Sequence, residues 1–248
     1  MRNLLNVIFS LSLIMLTACS DSVNSENIKT SGISAIMSVV SKDNAQTEVS
    51  AHLNVDSNPV NLSVGDSLVA TANGISTIMV RQAAAGDYLA TFPFDGAFQY
   101  TVALTRVNDP DAPNSTVTLP SVFTISQPVN NQSFPAGAAI NIGWSPSNIN
   151  STFGSLTNTL TLKYSTTCTS IAGQIMTSSG VKVITDSGTY TLSQATLSND
   201  FSATIDTSKT CLCGLSLTRS TTGTIDPALA GGSISGVQQR VRSVFVNF

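Results

Sequence analysis

Apolar and polar residues alternate with period two in segment after segment of this 248-residue chain. Val49, Ala51, Leu53 and Val55 share one parity, and Glu48, Ser50, His52 and Asn54 take the other. Residues 68–72 and 75–80 flank Asn73-Gly74, a dipeptide that supplies the positive φ of a tight hairpin turn. Tyr88, Ala90 and Phe92 follow Gly86-Asp87 at the same period, and Phe98, Tyr100, Val102 and Leu104 form another row. With residues 33–40 and 116–119 these make about seven short strands at regular spacing, the pattern of a β-sandwich.

The pattern continues past Leu119-Pro120, where the proline disfavours further sheet pairing and marks the predicted domain boundary. Ala138, Ile140, Ile142 and Trp144 lie on one strand face. Residues 159–165 place Leu160, Leu162 and Tyr164 inward. Phe201, Ala203 and Ile205 make a row, as do Cys211, Cys213, Leu215 and Leu217, and residues 239–248 supply a last strand. No helical period stands out. Pro128 before a strand bearing Trp144, with Pro146 after it, resembles fibronectin type III and related immunoglobulin-like modules over residues 123–248. It is also similar to the Ig-like repeats of microbial Ser/Thr-rich surface proteins. The resemblance implies that residues 159–165 and 211–218 are the third and sixth strands of such a module. The predicted fold is all-β: two tandem antiparallel β-sandwiches, immunoglobulin-like or fibronectin type III-like, over 31–119 and 120–248.

Composition narrows the function. Charged residues are 10% of the chain, aromatics 6%, and the formal net charge is −3. A nucleic-acid binder needs a basic stripe that is missing here. No long apolar run recurs past the N-terminus, which excludes a multi-pass membrane protein. Ser and Thr make up about a quarter of the chain, far above ordinary usage. A surface built from hydroxyls suits a secreted β-protein.

Residues 1–18 read as a targeting segment: Arg2, a short apolar run over 4–16, then small residues. Leu16-Thr17-Ala18-Cys19 resembles the lipobox of bacterial lipoproteins. The resemblance implies that residues 1–18 are removed, that Cys19 is diacylated on sulfur, and that its new amine is often acylated too. Serine at position 20, where aspartate retains Gram-negative lipoproteins at the inner membrane, implies outer-membrane sorting. Residues 19–30 are polar and aperiodic beyond the lipidated cysteine and are predicted to form a flexible tether. Removing residues 1–18, which carry one arginine, leaves ten basic against fourteen acidic side chains.

With Cys19 acylated, Cys168, Cys211 and Cys213 remain. A disulfide from Cys168 to either Cys211 or Cys213 is predicted, leaving the other thiol free. The set lacks nearby histidine for a metal centre.

No enzyme and no cofactor are expected. His52 is the single histidine. Its same-face neighbours on a strand lie about 7 Å away and Glu48 about 13 Å, too far for a relay of Ser50, His52 and Glu48. A glycan hydrolase needs two carboxylates flanking the scissile bond. Asp66, Asp87, Asp95, Asp186, Asp200, Asp206 and Asp226 are candidates, yet most sit beside Gly or Pro in turns, where aspartate caps the backbone. The segment 108–113 resembles the acidic calcium-binding linker of cadherins, with Asp109 and Asp111 as only part of a ligand set and Pro110 interrupting the pattern, and a plain turn is the favoured reading. For a carbohydrate- or peptidoglycan-binding module, Tyr190 is the exposed-ring candidate, while Trp144 is assigned to the core. Arg240 and Arg242 are placed on an outward face as a small basic pair. The expected function is a lipid-anchored, outer-membrane-sorted envelope protein whose sandwiches bind an envelope protein or glycan, or assemble at the surface.

Overall fold

The computed structural model describes residues 22–43, 45–147, 159–199, 201 and 203–248. The first half holds β1 (Val23–Asn24), β2 (Ser34–Ser41), β3 (Thr47–Val55), β4 (Asn58–Asn61), β5 (Ser67–Ala72), β6 (Ile75–Ile78), β7 (Val80–Arg81), β8 (Asp87–Phe92), β9 (Gln99–Thr105) and β10 (Ala112–Thr118). The second half holds β11 (Thr124–Gln127), β12 (Ser133–Phe134), β13 (Ile140–Ser145), β14 (Thr159–Thr169), β15 (Ile175–Thr185), β16 (Thr189–Leu192), a short helix α1 (Gln194–Ser198), β17 (Cys211–Thr222) and β18 (Gly231–Val246). Both antiparallel β-sandwiches are present.

One large sheet backs both. Its order is β1-β4-β3-β2-β18-β17-β14-β15, with β8 completing the β3 flank. Two small sheets, β10-β9-β5-β6 and β11-β13-β16, pack on its inward face. The alternation read in the sequence decides which side chains fill the gaps. Val49, Ala51, Leu53, Tyr100, Val102 and Leu104 are buried in the first core, and Ile140, Ile142, Trp144, Leu160, Leu162 and Leu215 in the second. Asn73 and Gly74 both take positive φ in the hairpin between β5 and β6, as the dipeptide predicts.

Along the chain the second core opens at Phe123, after Leu119 of the first, and the large sheet runs through both. Strand β18 spans 16 residues, roughly 50 Å of extended chain. Residues 231–238 pair parallel with β2 in the first half, and residues 235–246 pair antiparallel with β17. The β17–β18 hairpin tip is built into the first sandwich. Leu229 and Ile234 join its core, Thr224 bridges to Thr116, and Asp226 accepts from the Asn114 N–H at 2.7 Å.

Residues 22–30, predicted as a flexible tether, are docked instead. Strand β1 pairs parallel with β4, and Ser25 and Thr30 are buried. The cause is Arg106. Its Nη2 donates to the carbonyls of Ser25 (2.6 Å) and Ile28 (3.0 Å), while its Nε donates to Asp66 at 2.8 Å. A buried guanidinium needs acceptors, and this polar segment supplies them from its backbone. Arg240 also differs from the sequence prediction. It faces inward, buried, because Gln239, Val241 and Ser243 take the outward parity of β18.

Candidate functional site

Cys19, the predicted lipidation site, lies outside the described residues. Cys168 is bonded to Cys211 across β14 and β17, closing a separation of 43 residues. Cys213 is the buried free thiol. Burial pushes its pKa up, against a smaller opposing effect of the Thr166 hydroxyl, so the nucleophilic thiolate is disfavoured.

Asp109 and Asp111 serve the backbone. Asp109 accepts from the Thr30 N–H, and Asp111 accepts from the Arg106 N–H at 2.7 Å. Each of these carboxylates thus caps an amide, the turn chemistry that aspartate commonly serves.

The other carboxylates separate in the same way. Asp66 holds Arg106, and Asp186 holds Arg219 through both oxygens at 2.6 and 3.0 Å. Asp95 lies 3.2 Å from Arg240. Asp226 caps the hairpin tip, and Asp206 accepts from Ser208. Asp200 lies outside the described residues. Buried arginines, more than turns alone, account for Asp66, Asp95 and Asp186.

His52 Nδ1 lies 2.6 Å from Asp87 Oδ1, its register partner on β8. Glu48 pairs with Lys42, and Ser50 Oγ reaches the Ser38 carbonyl. The three neighbours on β3 therefore turn to three different partners. Trp144 is buried, with its indole N–H donated to Asp186 at 2.7 Å. Tyr190 is half-buried against the second core, at the rim of an open depression of about 560 Å³ shared with Lys182, Ser187 and Thr189.

What the sequence did not point to is β15. Among the described residues it pairs with β14 alone and forms one end of the large sheet. Its outward side chains include Ile175 (79% exposed), Val181 (62%) and Val183 (71%). Met176 and Ile184 are buried, but the inward positions between them are taken by Ser178, Gly180 and Lys182, while Val181 and Val183 face out. Gly180 has a reason: a Cβ there would lie 2.2 Å from the Tyr164 hydroxyl oxygen. Side by side across four strands run Ser179, Ser165, Gly214 and Ser243, the floor of a shallow depression of about 580 Å³. Val181, Lys163, Ser216 and Val241 form its adjacent wall, two residues along each strand. An unpaired edge with exposed β-branched residues and no proline is a template for a further strand.

No protein-family model matches the chain, and no curated protein matches it. Solved structures with some likeness include three N-terminal domains of the bacteriophage RB49 Highly Immunogenic Outer Capsid protein, at 14% identity and TM-score 0.28 over 87% of this chain. A three-Ig stretch of titin gives 11% and 0.26 over 86%, and the Yersinia pseudotuberculosis adhesin InvE gives 13% and 0.26 over 88%. This chain spans 70% of the first, 65% of the second and 61% of the third. Scores this low carry no argument about what the chain does.

Proposed function

We propose that this chain is a non-enzymatic module of the bacterial cell envelope. Acyl chains on Cys19 hold it at the outer membrane, and it binds an envelope protein by accepting an extended segment along β15. The observation that carries the reading is the edge of β15, which among the described residues pairs with β14 alone, with Ile175, Val181 and Val183 exposed beside it. Main-chain hydrogen bonds to the edge would supply affinity, and alternate side chains of the guest would supply selectivity. Apolar guest residues would cover Val181 and Val183, and an acidic one would meet the exposed Lys163. The non-enzymatic part is supported by the engagement of Asp66, Asp95 and Asp186 with buried arginines.

A photoreactive residue at position 183 tests this in living cells, with position 78 on the first sandwich as control. The expected result is a protein adduct from 183, absent from 78 and lost when Val181→Lys charges the edge. Equal adducts at both positions, or none, would overturn strand addition. A glycan-binding reading rests on Tyr190 and the depression at its rim. Binding of purified peptidoglycan fragments that disappears in Tyr190→Ala and survives Val181→Lys would favour it.

A further inference from the structure

We infer that the extended segment taken up along β15 is β15 of a second copy of this chain, running antiparallel and centred on Ser179; this rests on the strand addition proposed above. Length sets this edge apart. Strand β15 has 11 residues, roughly 36 Å of extended chain. Among the described residues β1, β6, β7, β11, β12 and β16 also have one partner strand each, and none is longer than four residues. Strand β10, with seven, is held further by the bridge from Thr116 to Thr224. Native proteins blunt a long edge with proline or charge, or they cover it. Strand β15 has no proline, and its outward row of Ile175, Thr177, Ser179, Val181, Val183 and Thr185 carries no charge. Its one charged residue, Lys182, faces the other way and lines the open depression beside Tyr190. The ammonium keeps its water there, and its stem leaves the edge free.

The outward row is complementary to itself. In an antiparallel pair about a two-fold axis, each contact forms twice. Only registers that pair odd-numbered with odd-numbered residues keep both outward rows on one face. Two centres, Ser179 and Gly180, place Ile175, Val181 and Val183 all opposite residues of the same strand. Centred on Gly180, the three face Thr185, Ser179 and Thr177. Centred on Ser179, Ile175 faces Val183 and Val181 faces Thr177, so that β-branched side chains meet across the seam. On the inward face Met176 then meets Lys182, and Ser178 meets Gly180, with no like charges opposed. A second copy brings no carboxylate to Lys163, which stays in solvent one strand in from the seam.

The same register aligns the outer face. Ser179, Ser165, Gly214 and Ser243 lie side by side across four strands. With Ser179 opposite Ser179, that row continues directly into the row of the second copy. The shallow depression then runs unbroken through the seam.

The test uses the full chain with a photoreactive residue at position 183, irradiated in living cells, with the adduct mapped by mass spectrometry. The expected product has twice the mass of the chain and joins position 183 to the peptide that holds Ile175. Val181→Lys should lower its yield about tenfold, because two ammoniums enter the seam. Adding Thr177→Asp to Val181→Lys should bring the yield back to within about twofold, because each new carboxylate faces the new ammonium of the other copy. Within one chain the two positions are about 14 Å apart and cannot pair. A dimer joined at scattered positions, or one that Thr177→Asp fails to restore, would overturn the inference. An adduct with a different protein alone would also overturn it and would leave strand addition at β15 standing. No adduct at all would overturn both.

Discussion

The Phe123 ring lies against two arginines: Cζ of Arg219 sits 4.6 Å from its centroid and Cζ of Arg240 sits 5.7 Å away. The two side chains come from adjacent strands, β17 and β18, and both are buried. Arg219 also donates to the Ser121 carbonyl, and Arg240 to the Phe123 carbonyl, both at 3.0 Å. The link between the sandwiches is thereby clamped to the hairpin that crosses both. Replacing Phe123 with alanine removes a buried ring and the cation–π contacts. A loss of about 3 to 5 kcal/mol is expected, read as a fall in melting temperature on the order of 10 °C. Wild type should unfold in one transition, with Trp144 fluorescence and circular dichroism coincident.

Asp186 is the partner on which that clamp depends. Its oxygens accept from Arg219 and from the Trp144 indole, with both charged groups almost wholly buried. Asp186→Ala leaves a buried guanidinium without its counter-charge, and a loss of about 3 to 5 kcal/mol follows. Replacing Asp186 and Arg219 together with apolar residues should cost less than Asp186→Ala alone. Urea denaturation of the two variants measures the difference.

Acid should loosen the N-terminal segment. Burial by itself raises the Asp66 pKa, but hydrogen bonds from the Ser25 hydroxyl and the Val107 N–H, with the Arg106 charge, together outweigh it and hold the carboxyl below its ordinary 3.8. A carboxyl whose folded pKa is depressed contributes stability above its unfolded pKa and loses it as pH falls through the folded value. That contribution is therefore complete above about pH 4 and is lost below it. Stability measured between pH 5 and pH 2 should fall less steeply in Asp66→Asn than in wild type. Amides of residues 26–29 should exchange faster in that variant at neutral pH.

The thiols make a separate prediction. Opening the Cys168–Cys211 bridge, which closes a separation of 43 residues, should cost roughly 4 kcal/mol in the chain-entropy model. Cys213 is buried with a raised pKa, so a maleimide should label it in denaturant and leave it unlabelled in the folded protein. Rapid labelling of the native, unreduced protein would contradict the buried position.

Much of the first core was legible because burial there follows strict alternation: Val49 through Val55 and Phe98 through Leu104 show it directly. Trp144 and the Asn73-Gly74 turn were equally plain. The arginines were not. Polar side chains are assigned outward by default, yet Arg106, Arg219 and Arg240 point inward, and the acceptors that make this tolerable are backbone carbonyls and distant aspartates. The docking of residues 22–30 has the same origin, since Arg106 lies far along the chain. Strand β15 escaped because Ser178, Gly180 and Lys182 occupy inward positions while Ile175, Val181 and Val183 face out. The shared parity of those three β-branched residues was the available signal. Nor does any local pattern announce that β18 belongs to both sandwiches, because parallel pairing with β2 joins residues about 200 apart in sequence.

The most direct test of an anchored binding module is crosslinking in intact cells, comparing wild type with Cys19→Ala. Capture of an envelope protein by the anchored chain, through β15, with loss of that capture in Cys19→Ala, is the predicted result. Unchanged capture without the anchor, or no protein captured by either form, would contradict it.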